Sequence, residues 1–320
     1  MCQDEPENSL EYGSGVLARS QQLAAHYADA ARAPSTRVLY ARIWKRWEAW
    51  CTLARTAVLP ADPAALAGWL AQLAHEGRSV SAVSTALAAV QFNHRQAGHT
   101  LDRRHPAISA VLGGIQRRNA RPPQGAAPLT LVDLRGLLTA IQGDGIAGLR
   151  DRAVITVGFW GALRRSEIAA LDVAGRSPVT VSTDGLTLHL TGTKTSTVTQ
   201  TVVIPRRNDD LCAVAAVEAY LGAAGIIAGP LFRPLAKSGR LLPHRLNAAS
   251  VAYILKARLG DEGREFSAHS LRAGFITAAA LAGAPEHLIQ AHSRHRSVDV
   301  LRGYVRPAQG TTNAAAHYIG

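Results

Sequence analysis

Lysine is scarce in this sequence: Lys45, Lys194, Lys237 and Lys256 are the four lysines among thirty-five basic side chains, and arginine supplies the rest. With abundant alanine alongside, that arginine excess carries a genomic base-composition component, so net charge supports an argument about partners without proving one. Cysteine is nearly as rare. Cys2, Cys51 and Cys212 are odd in number, far apart and free of any Cys-x-x-Cys pairing, which argues against a structural zinc site and fits a reducing compartment. Long apolar runs are missing too. The most hydrophobic stretch, Ala213 to Phe232, is interrupted by Glu218, several glycines and Pro230, and suits a buried helix and turn better than a bilayer span. The opening residues, Met1 to Glu7, are acidic where a signal sequence starts basic. These absences lead us to expect no membrane association and a cytoplasmic, nucleoid-associated protein.

What is present points toward a polyanion. The formal charge is +12 and the isoelectric point about 10.3, values that favour nucleic acid as partner. At 320 residues the chain is long for one core, so two domains are the default expectation.

Patterning supplies the boundaries. Residues 1–33 read as a flexible N-terminal segment with a possible short helix from Val16 to Ala31. Residues 34–118 read as a bundle of four helices. The first starts after Pro34 with Ser35 as its cap and buries Tyr40, Ile43, Trp44, Trp47 and Cys51. The others run from about Pro63 to His75, from Ser79 to Gln96, and onward from Pro106. Residues 119–128 form a basic, proline- and glycine-rich linker. Candidate DNA-backbone contacts are Arg37, Arg42, Lys45 and Arg78 in the bundle, with Arg117, Arg118 and Arg121 at its end, because each phosphate neutralised releases condensed counterions. Residues 129–306 form a second, α+β domain. Thr130 caps its first helix, and Val179 to Ile204 alternate as a small antiparallel sheet turning at Asp184-Gly185, with helices resuming near Asn208. Residues 307–320 are a tail.

Within the second domain lie Arg164 in Ala162-Leu163-Arg164-Arg165-Ser166-Glu167, the pair in His269-Ser270-Leu271-Arg272, and His295 nine residues before Tyr304. Two arginines, two histidines and a phenol suit metal-free attack on a phosphodiester. A free tyrosine has a pKa of about 10, so its proton must be removed or the resulting charge stabilised. Arg164 and Arg272 would grip the non-bridging phosphate oxygens and neutralise charge in the transition state. His295 would hydrogen-bond the phosphate, His269 would serve as acid/base beside the nucleophile Tyr304, and Lys194 would protonate the departing 5′ oxygen. Rival readings are an Arg164–Glu167 surface ion pair, His292 with His295 as metal ligands, Tyr253 packed in a core helix, and Tyr253 or Tyr318 as nucleophile.

Those boxes resemble the tyrosine recombinase, or phage integrase, family from about Pro34 to Arg306. Its first box is Gly-Leu-Arg-x-x-Glu, its second His-x-x-Arg, and its third Gly-His-x-Ser followed by the nucleophilic tyrosine. The third box here reads Arg294-His295-Arg296-Ser297, with Arg294 where the family carries glycine. The resemblance implies a mainly α chain with a small antiparallel sheet, in which a four-helix core-binding (SAM-like) domain and an α+β catalytic domain clamp double-stranded DNA. Glu167 would support the site, Lys194 would sit on its hairpin, and neither metal nor cofactor would be needed. The implied activity is site-specific recombination through a covalent 3′-phosphotyrosine and a Holliday junction. It implies a homotetramer on two DNA sites, with room for accessory DNA-bending proteins, the tail after residue 306 docking on a neighbouring protomer. The alternatives are a type IB topoisomerase-like DNA relaxase and a non-catalytic DNA-binding protein of the same fold.

Overall fold

The computed structural model describes residues 16–24, 27, 32–119, 127–141, 143, 145–191, 198–295, 297 and 302–303. The chain divides into two compact units, Met1–Gln124 and Gly125–Gly320. In the first unit residues 16–24 are helical, with Leu17 and Leu23 exposed. Four helices then form the bundle: α1 (Pro34–Ala54), α2 (Pro63–His75), α3 (Val80–Gln96) and α4 (Pro106–Asn119).

Local chemistry sets their starts. Pro34 occupies the first turn of α1, where its missing N–H costs nothing, so Ala33 and not Ser35 is the residue before the helix. Asp62 caps α2 by accepting from the Ala65 N–H at 2.9 Å, and Ser79 caps α3 through the Ala82 N–H at 3.2 Å. Trp47 and Cys51 from α1, Leu66 and Leu70 from α2, Val83 and Val90 from α3 and Ile108 from α4 close the core. Burial pushes the Cys51 thiol up to about 11. His94 is wholly buried and satisfied at both nitrogens. Its Nε2 accepts from the Ala61 N–H at 2.8 Å, so Nδ1 carries the proton and donates to the Val90 carbonyl at 2.8 Å.

The second unit opens with α5 (Leu131–Ala140), α6 (Gly145–Trp160) and α7 (Arg165–Ala170). Thr130 caps α5 reciprocally with Asp133. Strands β2 (Val179–Val181), β3 (Gly185–Leu190) and β4 (Gln200–Pro205) form an antiparallel sheet in the order β2-β3-β4. Gly185 pairs with Pro205 as the first residue of β3, which places the turn at Thr183-Asp184. Leu186, Leu188 and Leu190 point into the core with Val202 and Ile204, as their alternation requires.

Helices resume later than Asn208. The next is α8 (Ala213–Ala224), and after it the chain runs through an irregular stretch whose strand β5 (Gly229–Pro230) pairs with β1 (Asp172–Ala174). This second sheet is too short for any periodicity to announce. A helix α9 (Ala248–Leu259), a 3-10 turn (Gly260–Glu265), α10 (Ala268–Leu281) and α11 (Glu286–Ser293) complete the described chain. No described helix is long and apolar enough to cross a membrane.

Three arrangements fix the platform under the site. Arg245 donates to the Ala169 carbonyl at 2.9 Å and to Asp172 at 2.5 Å, locking the exit of α7. Asp151 on α6 accepts from its neighbour Arg150 at 2.7 Å and from Arg258 on α9 at 2.9 Å. Gly274 lets α10 approach the backbone carbonyl of Leu129, a space that any Cβ would fill. The Leu129 N–H in turn donates to the Ser270 carbonyl at 3.0 Å.

Candidate active site

Arg164, Glu167, His269, Arg272 and His295 come from three separate segments and meet in one basic cluster. Arg164 ends the turn between α6 and α7 with an extended backbone (φ −76°, ψ 151°) that swings its side chain off the helix. Glu167 folds back one turn, accepting from the Arg164 N–H at 2.9 Å and from its Nη1 at 2.6 Å. The pair is no surface ion pair: the Glu167 side chain is 4% exposed and that of Arg164 25%. Burial by itself would raise the Glu167 pKa. The charges of Arg294 and Arg164 and two hydrogen bonds from Arg164 outweigh it, so the carboxyl is held below its ordinary value and stays ionised.

The second box sits on the first turn of α10, where the Ser267 hydroxyl accepts from the His269 N–H at 3.1 Å. Helical spacing puts His269 and Arg272 on one face. Arg272 is 1% exposed. Its Nη1 donates to the Ala162 carbonyl at 2.8 Å, and its Nη2 lies 3.2 Å from His295 Nδ1 and 3.3 Å from Nε2. A guanidinium can only donate, so the imidazole nitrogen it bonds must be unprotonated.

The third box leaves α11 through Arg294, whose left-handed backbone (φ 59°, ψ 39°) closes the helix. That conformation is natural for glycine, and here a non-glycine residue adopts it. The Gln290 side chain donates to the His295 carbonyl at 3.1 Å, and the Ser293 hydroxyl lies 2.8 Å from His295 Nδ1.

The histidines sense the arginines. His295 is depressed to about 4 by burial first, then by Arg272, Arg164, His269 and Arg294. His269 lies at an exposed position, yet its ring is crowded enough that desolvation lowers its pKa, followed by the charges of Arg272 and Arg164. Both imidazoles are thereby biased toward the neutral form. A phosphate bound among these arginines would supply counter-charge and raise both.

Other sequence candidates fall elsewhere. Tyr304 and Lys194 lie outside the described residues, as do Arg121 and Tyr318. Arg42 and Arg78 line one groove of the bundle together with Arg46. Arg37 lines a different one with Tyr40 and Phe92, and Arg118 a third near His75. Lys45 and Arg117 are exposed. Tyr253 is not in the core: it is 74% exposed, because α9 buries Val251, Ile254 and Leu255 and that face excludes residue 253. His292 hydrogen-bonds the Trp160 carbonyl at 2.8 Å and stacks on Phe275 at 4.6 Å, a packing role. Among the described residues no group of three or more metal-ligating side chains assembles.

Sequence reasoning missed what Arg294 does. Its side chain is 5% exposed and reaches across to donate to Glu167 at 2.9 Å. The signal was the replaced glycine, which drew attention to the backbone and away from the guanidinium.

No protein-family model matches the chain. It is 30% identical over 287 residues to the "Integrase/recombinase xerD homolog" of Selenomonas ruminantium, a match covering 87% of this chain and 83% of that protein. Among solved structures it resembles the Tn1549 transposon integrase in complex with circular intermediate DNA. The TM-score is 0.58 and the identity 17%, over 94% of this chain and 96% of that one. A lambda integrase dimer bound to a core site gives a TM-score of 0.58 at 14% identity, over 91% and 94%. The XerH site-specific recombinase bound to palindromic difH substrate gives 0.57 at 15%, over 80% and 72%. At such identities the structural likeness speaks to the fold.

Proposed function

The chain belongs to the tyrosine recombinase (phage integrase) family, and on that footing we propose that it cleaves and rejoins double-stranded DNA through a covalent 3′-phosphotyrosine on Tyr304. Site-specific recombination is its function; the residue roles below are our reading. The observation that carries it is the convergence of Arg164, Arg272, His269 and His295, where burial first and then the arginine charges depress both histidines.

Arg164 and Arg272 hold the non-bridging oxygens of the scissile phosphate, entering where Arg272 now meets His295. A neutral His269 takes the phenolic proton of Tyr304. The phenolate attacks phosphorus, the bond to the 5′ oxygen breaks, and Lys194 protonates the leaving oxygen. His295 donates to the phosphate as the pocket accumulates negative charge. The 5′ hydroxyl of a partner strand then attacks the tyrosyl phosphate and displaces Tyr304, giving a Holliday junction. The bond energy is kept in the phosphotyrosine, so neither ATP nor a divalent cation takes part.

Residues 34–118 act as the core-binding domain, 129–306 as the catalytic domain and 119–128 as the basic linker. Arg37, Arg42, Lys45, Arg78, Arg117, Arg118 and Arg121 contact the backbone. Four protomers act on two sites in the cytoplasm, at the nucleoid, with the tail beyond residue 306 docking between neighbours and accessory proteins bending the DNA.

A nicked suicide substrate tests the chemistry. Wild type accumulates a covalent adduct in EDTA, whereas Tyr304→Phe gives none. An adduct that requires divalent metal, or that survives Tyr304→Phe, overturns the mechanism. Plasmid relaxation without exchange between paired sites would establish the topoisomerase-like reading instead.

A further inference from the structure

We infer that Arg294 is a positioning residue: it ties the turn carrying Arg164 to the turn carrying His295 and occupies Glu167, so that the charge of Arg164 remains available to a phosphate. The inference takes its phosphate from the strand-transfer reading above, but its geometry stands without it.

The guanidinium of Arg294 makes four bonds in the pocket wall. Nη1 donates to the Gly161 carbonyl at 3.2 Å and to the His292 carbonyl at 2.8 Å. Nη2 donates to the Ala162 carbonyl at 3.1 Å and to Glu167 Oε2 at 2.9 Å. Nε is buried and has no partner among the described residues, a cost the site accepts to hold this charge. Two non-glycine residues with left-handed backbones, Ala162 (φ 45°) and Arg294 (φ 59°), are thus joined by one side chain. The Ala162 carbonyl also receives Arg272. One peptide oxygen therefore links all three boxes.

Electrostatics gives the arrangement its purpose. Glu167 is ionised and buried, and a buried carboxylate facing one arginine would spend that arginine's charge. Sharing it between Arg294 and Arg164 leaves three guanidiniums, with Arg272, against a single carboxylate. Burial lowers the Arg294 pKa and Glu167 opposes the fall; arginine starts so high that it stays charged. Glycine at this position would relax the turn but supply no cation.

The test uses the full chain and needs no target DNA for its first arm. Inorganic phosphate is titrated while the His295 ring proton is followed by NMR, with thermal denaturation to check folding. Arg294→Met is expected to bind phosphate roughly tenfold more weakly and to shift the His295 titration upward, because a cation near the ring is lost and Glu167 is left less compensated. Arg294→Gly is expected to show the same loss even though its backbone is unstrained, and it keeps the test valid if the Met variant does not fold. Adding Glu167→Gln to Arg294→Met is expected to restore phosphate affinity to within about threefold of wild type, as coupled charges require. A purely steric role for Arg294 would show no such rescue.

In the second arm, adduct formation on suicide DNA falls by about a hundredfold in Arg294→Met, the scale of a misplaced reacting group. Wild-type phosphate affinity and His295 titration in a folded variant would overturn the inference, and so would failure of Glu167→Gln to rescue. If the phosphate arm behaves as expected while wild type forms no adduct on any DNA, the strand-transfer reading fails and the positioning role survives.

Discussion

Arginine stands in opposite environments on the bundle surface and at the candidate site of the C-terminal unit. In the bundle, Arg37, Arg42, Arg78, Arg117 and Arg118 stand exposed over an apolar core built from tryptophan and leucine. In the C-terminal unit Arg272 is 1% exposed and the Arg294 side chain 5%, each aimed by backbone carbonyls. An exposed cation keeps its water and its freedom, so it attracts a polyanion by releasing counterions and is weakened by salt. A buried cation has lost its hydration in advance and is held in one geometry, which is what stabilising a transition state requires. Under the proposed function, the same residue type would serve affinity in one unit and chemistry in the other.

That contrast is sharpest at Arg272. Arg272→Ala is expected to lower single-turnover adduct formation by about a thousandfold, the scale of losing one preorganised donor, while DNA binding measured by gel shift changes far less. Equal losses in both would erase the distinction between the units.

Acid probes the same burial from another side. The folded state holds His295 near 4, below its ordinary value of about 6.5, so the unfolded chain binds more protons between those values. Stability is therefore full above about pH 6.5 and falls as pH drops toward 4, by up to roughly 3 kcal/mol from this group. Urea denaturation at pH 7 and pH 4.5 measures it. His295→Gln should flatten that part of the profile, and an unchanged slope would show that the ring is not desolvated as described.

The smallest effect belongs to the bundle. Arg42→Ala and Arg78→Ala, two residues lining one groove, should each reduce the slope of log K against log salt by about 1 and leave the cleavage rate of bound DNA unchanged. A slope equal to wild type would remove that groove from the DNA interface.

Much of the fold was legible because its signals are local. Trp47 and Cys51 follow helical spacing into the core, Thr130 announces α5, and Leu186, Leu188 and Leu190 alternate inward. Where the reading slipped, a neighbour decided. Pro34 displaced Ser35 from the cap, and the face chosen by Val251 and Ile254 turned Tyr253 outward. The short pairing of β1 with β5 depends on segments more than fifty residues apart.

The sequence by itself determined which residue types were available and in what order: the boxes around Arg164, His269, Arg272 and His295 are strings of a few residues, and their chemistry belongs to the side chains. Only the tertiary structure decided what those residues feel. Burial, the sharing of Glu167 between two arginines and the crossing of Arg294 to the Ala162 carbonyl arise between segments some 130 positions apart, and no periodicity encodes them. Electric fields and desolvation depend on distance in space, and that distance is set when α6, α10 and α11 pack together.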